Sequence, residues 1–415
     1  MIKHVILVML LVFPLSANSA TIFVDATPAE DCTGNYNPTT KDCDGSGSYD
    51  SYDTLDEACS VAVAGDTVYV RVGTYTESVD LDNSGSIGLP ITYQNYNDEE
   101  VLLDANSATD KTVHWNQDGN PKHYIIWDGI DVTGSTGRGI WIHGDHNTVQ
   151  NCKVYGNGNT GIQTVEADYT LITKNEVYGN GWNGISFEYA SNNEISYNYI
   201  HDNDSHAGVN GFPAVGSEAQ DSNVVKFNFV LDNDTGMYFL YQTNFLIYGN
   251  IIAKCHKDGI FFNAGGNVIA IHQNTIYGNG TSEYGYGINN GTATNVTAYN
   301  NIIYDNYNGA TNGTITVSDN LTTDPTVVSA VGNDFTLDTG SNAIDAGGDL
   351  GSSYSDGLDP DSSWPDSVTL LDQDSHGDGW EIGAFVYEDA APAPTVGISA
   401  GSGTISAGSG SIAGQ

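Results

Sequence analysis

Residues 172–181 read ITKNEVYGNG and residues 195–204 read ISYNYIHDND. Laid one over the other, each places an aliphatic residue, then Asn three positions on, then a second aliphatic two further: Ile172/Asn175/Val177 and Ile195/Asn198/Ile200. The triplet recurs on both sides, as Val149/Cys152/Val154, Val225/Asn228/Val230, Ile247/Asn250/Ile252, Ile271/Asn274/Ile276 and Ala298/Asn301/Ile303. The Asn slot, filled once by Cys152, is spaced by 23, 23, 30, 22, 24 and 27 residues. A second polar slot follows at Asn157, Asn180, Asn203, Asn233, Cys255, Asn279 and Asn306. Gly-apolar pairs then open the next stretch, among them Gly184-Ile185 and Gly259-Ile260.

A period of this length marks a solenoid. Inward aliphatics alternate within each short stretch and the phase slips across the Asn, so each Asn marks a bend between strands. Asn tolerates left-handed backbone geometry at such bends, and stacked Asn side chains hydrogen-bond along a ladder. No Ala/Leu pattern at helical spacing is present. The reading is an all-β parallel β-helix of roughly ten coils, right-handed by the general preference for right-handed crossovers.

Lys+Arg 11 against Asp+Glu 52 gives a net charge of −41. That excludes a nucleic-acid partner, which needs clustered cations, and disfavours an anionic membrane surface. Met1–Ala20 reads as a secretory signal peptide, with Lys3 and His4 before an apolar run too short to span a bilayer. Export to an extracellular, cell-surface or periplasmic location follows, with no membrane span. In that oxidising setting Cys32 and Cys43 suit a disulfide, and Cys59, Cys152 and Cys255 read as buried. Residues 389–415 form a Ser/Gly/Ala tail, a linker or attachment stub.

Several segments resemble secreted right-handed parallel β-helix proteins of the pectate-lyase-like superfamily. These are the opening Thr21-Ile-Phe-Val-Asp25, Gly65-Asp-Thr-Val-Tyr-Val-Arg71 and Gly73-Thr-Tyr75, and the ending Gly340-Ser-Asn-Ala-Ile-Asp-Ala-Gly347 and Glu381-Ile-Gly-Ala-Phe385. The resemblance covers about 21–388 and implies a capping helix at about 55–64 and a C-terminal closing segment. It specifies fold more than activity, since the superfamily holds lyases, hydrolases, epimerases and non-catalytic surface proteins.

Where the repeat breaks its own rule, a site is expected. Around the second polar slot the coils at 156–158, 179–181 and 278–280 read Gly-Asn-Gly, whereas three others read Asp202-Asn-Asp204, Asp232-Asn-Asp234 and Lys254-Cys-His256, followed by Lys257. At about 4.8 Å per coil these charges stack within roughly 10–15 Å. Asp202, Asp204, Asp232 and Asp234 are candidate Ca²⁺ ligands, because clustered carboxylates repel unless a cation sits among them. Turn chemistry alone also explains Asp at these positions. Lys254, Lys257 and His256 are candidate catalytic groups, and His201 and His206 candidate substrate contacts. Tyr199, Phe229, Tyr238 and Phe261 are candidate stacking walls for sugar rings.

A β-eliminating lyase needs a cation to neutralise a uronate carboxylate and a base to take the acidified proton; Ca²⁺ with Lys resembles the pectate-lyase plan. Asn210-Gly-Phe-Pro213 and Asp232-Asn-Asp-Thr-Gly236 are similar to, but depart from, the Asn-x-Asp-Asp-Gly turn of such enzymes. The expectation is an exported protein that binds, and cleaves by Ca-assisted β-elimination, an acidic polysaccharide. The alternative is a non-catalytic cell-surface or adhesin-type β-helix that binds acidic or neutral polysaccharide. Phosphate-loop, zinc-protease and serine-hydrolase motifs are absent, and the sequence leaves the oligomeric state open.

Overall fold

In the computed structural model, described residues are 19–27, 31–115, 119–212, 220–281 and 284–388. Most of the signal-peptide reading and all of the 389–415 tail lie outside them, as does part of the stretch that makes the 30-residue interval between Asn198 and Asn228 the longest.

The chain winds as a parallel β-solenoid of about 11 turns, one more than the repeat alone suggests. One sheet has 15 strands and two have ten, and consecutive coils pair in parallel within each. We call sheet 1 the one containing Leu171–Thr173 and Glu194–Ser196, sheet 2 the one containing Lys153–Tyr155, Glu176–Tyr178, Tyr199–His201, Phe229–Leu231 and Ile251–Ala253, and sheet 3 the one containing Arg138–Ile142, Ile162–Val165, Ile185–Glu188, Ala207–Phe212, Thr235–Leu240 and Ile260–Ala264. Inward positions line up coil on coil. Ile140, Ile162, Ile185, Val209, Met237, Ile260 and Ile288 form one such column in sheet 3 and are fully buried. Each buried aliphatic of this kind contributes about 1.5–3 kcal/mol relative to exposure. The Gly-apolar pairs are a packing device: a Cβ at Gly259 would lie 2.6 Å from Ile276 Cγ2 and 2.7 Å from the Gly287 carbonyl oxygen.

The bends differ from the sequence reading in one respect. The left-handed residue is the one before each ladder Asn: Lys174, Tyr197 and Phe227 before the first ladder, and Gly156, Gly179, Asp202, Asp232, Lys254, Gly278 and Asp305 before the second. The Asn itself supplies the ladder. Asn175 Nδ2 donates to Asn198 Oδ1 at 3.0 Å, and the row continues through Asn228, Asn250, Asn274 and Asn301. In the second row Asn157, Asn180, Asn203 and Asn233 link at 3.0 Å. Cys255 then interrupts it, so the Asn233 N–H faces a thiol rather than an amide oxygen.

A short helix, α1 (Leu55–Val61), covers the first coil, with Thr54 as its N-cap. Cys32 and Cys43 are disulfide-bonded and Cys59, Cys152 and Cys255 are buried free thiols. The closing segment folds back along the outer face of sheet 2. Phe335, Leu358, Ala384 and Phe385 pack there against Phe227, Leu231, Tyr248, Ile251 and Ala253, and Trp364 Nε1 donates to the Phe227 carbonyl at 3.0 Å. No helix among the described residues is long and apolar enough to cross a membrane.

Candidate functional site

The turn joining sheet 2 to sheet 3 stacks the predicted charges in two rows separated by the buried Asn203/Asn233 ladder. The row before the ladder is Asp202, Asp232 and Lys254, each held in register by backbone bonds to the next coil. Asp202 Oδ2 lies 2.7 Å from His201 Nδ1. Partial burial, with Asp202 next to it, pushes the Asp232 carboxyl up. Lys254 does not join the aspartates: its Nζ donates to Asn333 Oδ1 and, at 3.3 Å, to the Val331 carbonyl, both in the closing segment. The row after the ladder is Asp204, Asp234 and His256. Asp234 pairs with Lys257 at 2.7 Å, while Asp204 and His256 are exposed.

These placements bear on calcium. An ion of that kind takes 6–8 oxygens at about 2.3–2.6 Å. Among the described residues the only group of three ligand atoms within 4.8 Å of one another is Asp31, Asp53 and Glu57, beside the N-cap of α1. Asp202, Asp204, Asp232 and Asp234 are therefore neighbours along the solenoid without converging. Two of them are already engaged by His201 and Lys257, and as arranged the set does not fit the ion.

The aromatic candidates divide in the same way. On sheet 2, Tyr155, Tyr178 and His201 stack face to face, at 5.1 Å and 6° and then 5.0 Å and 4°, and Tyr199 lies 4.1 Å from His201. Because the rings cover one another, they offer hydroxyls and edges to solvent instead of faces. Phe229 packs edge to face on Trp364 at 5.5 Å and Phe335 at 6.1 Å, and with Tyr199 it lines a 380 Å³ cleft under the closing segment. On the sheet 3 side, His206 stacks on Trp182 at 5.2 Å and its Nδ1 is 2.9 Å from Asn183 Oδ1; burial lowers its pKa. Tyr238 meets His206 at 4.6 Å and Phe261 at 5.4 Å, both edge to face.

The sequence reading missed the groove that continues from His201 toward the N-terminal coils. Tyr155, Tyr178, Lys153, Asp131 and Glu100 line an open space of 620 Å³ there. Glu176 links Lys153 at 3.8 Å to His201 Nε2 at 3.4 Å, and burial raises the Asp131 carboxyl. The signal was available in the outward slot two residues before each Tyr, which holds Lys153 and Glu176.

Two family models match consecutive parts of the chain: a Pel9A-like right-handed β-helix region over residues 36–206 and a right-handed β-helix region over 205–322. Pectate lyase L of Paenibacillus polymyxa (strain SC2) is 26% identical over 165 residues, 38% of this chain and 34% of that protein. The uncharacterized protein YwoF of Bacillus subtilis (strain 168) is 46% identical over 55 residues, 13% of this chain and 12% of that protein. The chain thus matches about a third or less of the length of these curated relatives. The crystal structure of pectate lyase Pel9A superposes with a TM-score of 0.55 at 16% identity, covering 89% of this chain and 97% of that one. That likeness is one of fold.

Proposed function

Since the chain is a pectate-lyase-like right-handed β-helix protein, we propose that it acts on a polysaccharide outside the cytoplasm, and that the polymer is an acidic uronan. The observation that carries this reading is the sheet 2 groove. Its ring stack Tyr155–Tyr178–His201 runs along the solenoid axis beside Lys153, Glu176 and Asp131. An open, polar, axial groove with a row of hydroxyls suits an extended polyol chain better than a compact ligand. The pectate lyases among the compared proteins support the substrate class.

Cleavage by β-elimination is the finer proposal. It asks for a group that takes the C5 proton while the uronate carboxylate is held by a cation. Lys257, beside the half-buried His206, is the lysine nearest that role on the sheet 3 side; Lys254 is held by the closing segment. The test is incubation with pectate, alginate and related uronans, with and without Ca²⁺, following the ultraviolet absorbance of the unsaturated product. Product formation that disappears in Lys257→Met, with folding retained, supports elimination. Binding without product on every uronan establishes the second reading, a non-catalytic polysaccharide-binding β-helix. The engagement of both lysines, with Asn333 and with Asp234, favours that second reading.

A further inference from the structure

The chain has 11 Lys and Arg against 52 Asp and Glu, yet two of the eleven converge on one tryptophan of sheet 3. Lys111 Nζ lies 4.4 Å from the ring centroid of Trp141 and Arg138 Cζ 5.1 Å from it. His114, held by Asp80 at 2.9 Å, stacks on the same indole at 4.9 Å and 9°, and His143 meets it edge to face at 4.6 Å. Lys111 is paired with Asp110 at 2.7 Å. Arg138 has no carboxylate partner among the described residues, and its Nε is spent on Gln163 Oε1.

Three ring nitrogens here have no hydrogen-bond partner: Trp141 Nε1, His143 Nε2 and His114 Nε2. His143 is only 7% exposed. Burial first, and then the nearby His114, Arg138 and Lys111, depress its pKa to about 4, so it stands as a neutral imidazole in a cationic neighbourhood. His114 and the two cations pack on the indole, whose N–H is itself buried without an acceptor, so the charge presented outward is that of Arg138 and Lys111. A guanidinium without a carboxylate partner, with a lysine beside it over the same indole, suits an anion, and a carboxylate fits its fork.

We propose that Arg138 and Lys111, held over Trp141, form a subsite for the carboxylate of an acidic glycan; this rests on the polysaccharide reading above. Trp141 shares its register with Gln163, Ser186 and Asn210, so the patch lies three coils, about 14 Å at ~4.8 Å per coil, from the strand that follows His206. Gln163 Nε2 donates to Glu188 Oε1 at 2.7 Å, which continues a polar row from the patch toward that strand. A uronan laid along sheet 3 would place one carboxylate on the patch and later sugars beside His206 and Lys257.

The test is binding of an oligogalacturonate and of a neutral glucan oligomer to the full chain in EDTA, read by calorimetry and tryptophan fluorescence. The expected result is uronate binding that weakens as salt rises and is about 10- to 100-fold weaker in Arg138→Gln, the effect of losing a charge-assisted contact. The fluorescence change should be lost in Trp141→Phe, and Arg138→Lys, which keeps charge and folding, should fall between. Uronate binding unchanged in Arg138→Gln and Trp141→Phe overturns this subsite while leaving the polysaccharide reading standing. No binding of uronate by the unmodified chain overturns both.

Discussion

Glu381 of the closing segment has no exposed surface. Neither of its carboxylate oxygens accepts a well-formed hydrogen bond, although the Tyr387 and Glu381 backbone N–H groups lean toward them. Burial, reinforced by Asp345, raises its pKa from 4.5 to about 7. The folded state therefore holds this proton more tightly than the unfolded chain does. The resulting stability is fully present below pH 4.5 and is lost as pH rises through about 7. With 1.36 kcal/mol for each tenfold change in proton affinity, the gap from 4.5 to about 7 gives a loss of roughly 3 kcal/mol above neutral pH. Glu381→Gln keeps the shape and cannot ionise. It should match the parent near pH 4.5 and exceed it at pH 8 by up to about 3 kcal/mol. The assay is guanidinium unfolding across that range, followed through Trp364 and Trp380, which lie in the same segment. Subtracting the two curves removes every other carboxylate. A difference that is flat with pH, or a Gln variant less stable than the parent at pH 8, refutes the reasoning.

Four further outcomes are expected. Cys255→Asn should rejoin the second ladder by giving the Asn233 N–H an amide oxygen, gaining about 1 kcal/mol; a lower denaturation midpoint would show that the slot is shaped for sulfur. Lys254→Ala should leave uronan binding unchanged and speed hydrogen exchange around Val331 and Asn333, at a cost of no more than about 1 kcal/mol. Lost binding would return that lysine to the site. Asp202→Gly should be neutral or slightly stabilising, because φ is 52° there and Gly carries no left-handed penalty; a drop in polysaccharide affinity would show that the carboxylate acts on the ligand. His143 and His272 have pKa values depressed to about 4 by burial, below the ordinary 6.5, so the stability they confer is present above pH 6.5 and fades as pH falls toward 4. An NMR titration with midpoints above 6 would contradict this.

The fold was legible because the repeat carries two independent signals at each bend. The inward aliphatics give the strand phase, and Asn175, Asn198 and Asn228 mark where the phase slips, since an amide that both donates and accepts is the side chain able to pair with its own image one coil away. The exact role of the bend was not legible. A left-handed residue is inferred from sequence through Gly and Asn, yet here the slot holds Lys174, Tyr197 and Phe227 as readily as Gly249. The ladder bonds on the following residue fix the backbone strongly enough to impose that conformation on side chains that disfavour it.

The site was legible only in part, for a related reason. Asp202 and Asp204 are two positions apart in a turn, and sequence proximity suggests one cluster. The residue between them points inward to the ladder, however, so the flanking carboxylates belong to different faces: Asp202 joins His201 and the ring stack of sheet 2, while Asp234 joins Lys257 beside sheet 3. Phe229, Leu231, Ile251 and Ala253 break the polar outward pattern of sheet 2 for a reason that lies far downstream in the chain. Apolar outward positions on consecutive coils describe a docking strip for a segment of the same chain, and Phe335, Trp364 and Phe385 occupy it. Burying them requires no ligand. What the strip leaves uncovered decides where a polymer can lie: the N-terminal half of the sheet 2 groove, from Asp131 to His201, and the outward face of sheet 3, where Arg138 and Trp141 stand. The two faces meet at a turn in every coil, Gly-Asn-Gly at 156–158 and 179–181 and charged on both sides of the ladder at 202–204 and 232–234, so a chain that crosses beside His201 passes Asp204, Asp234 and Lys257.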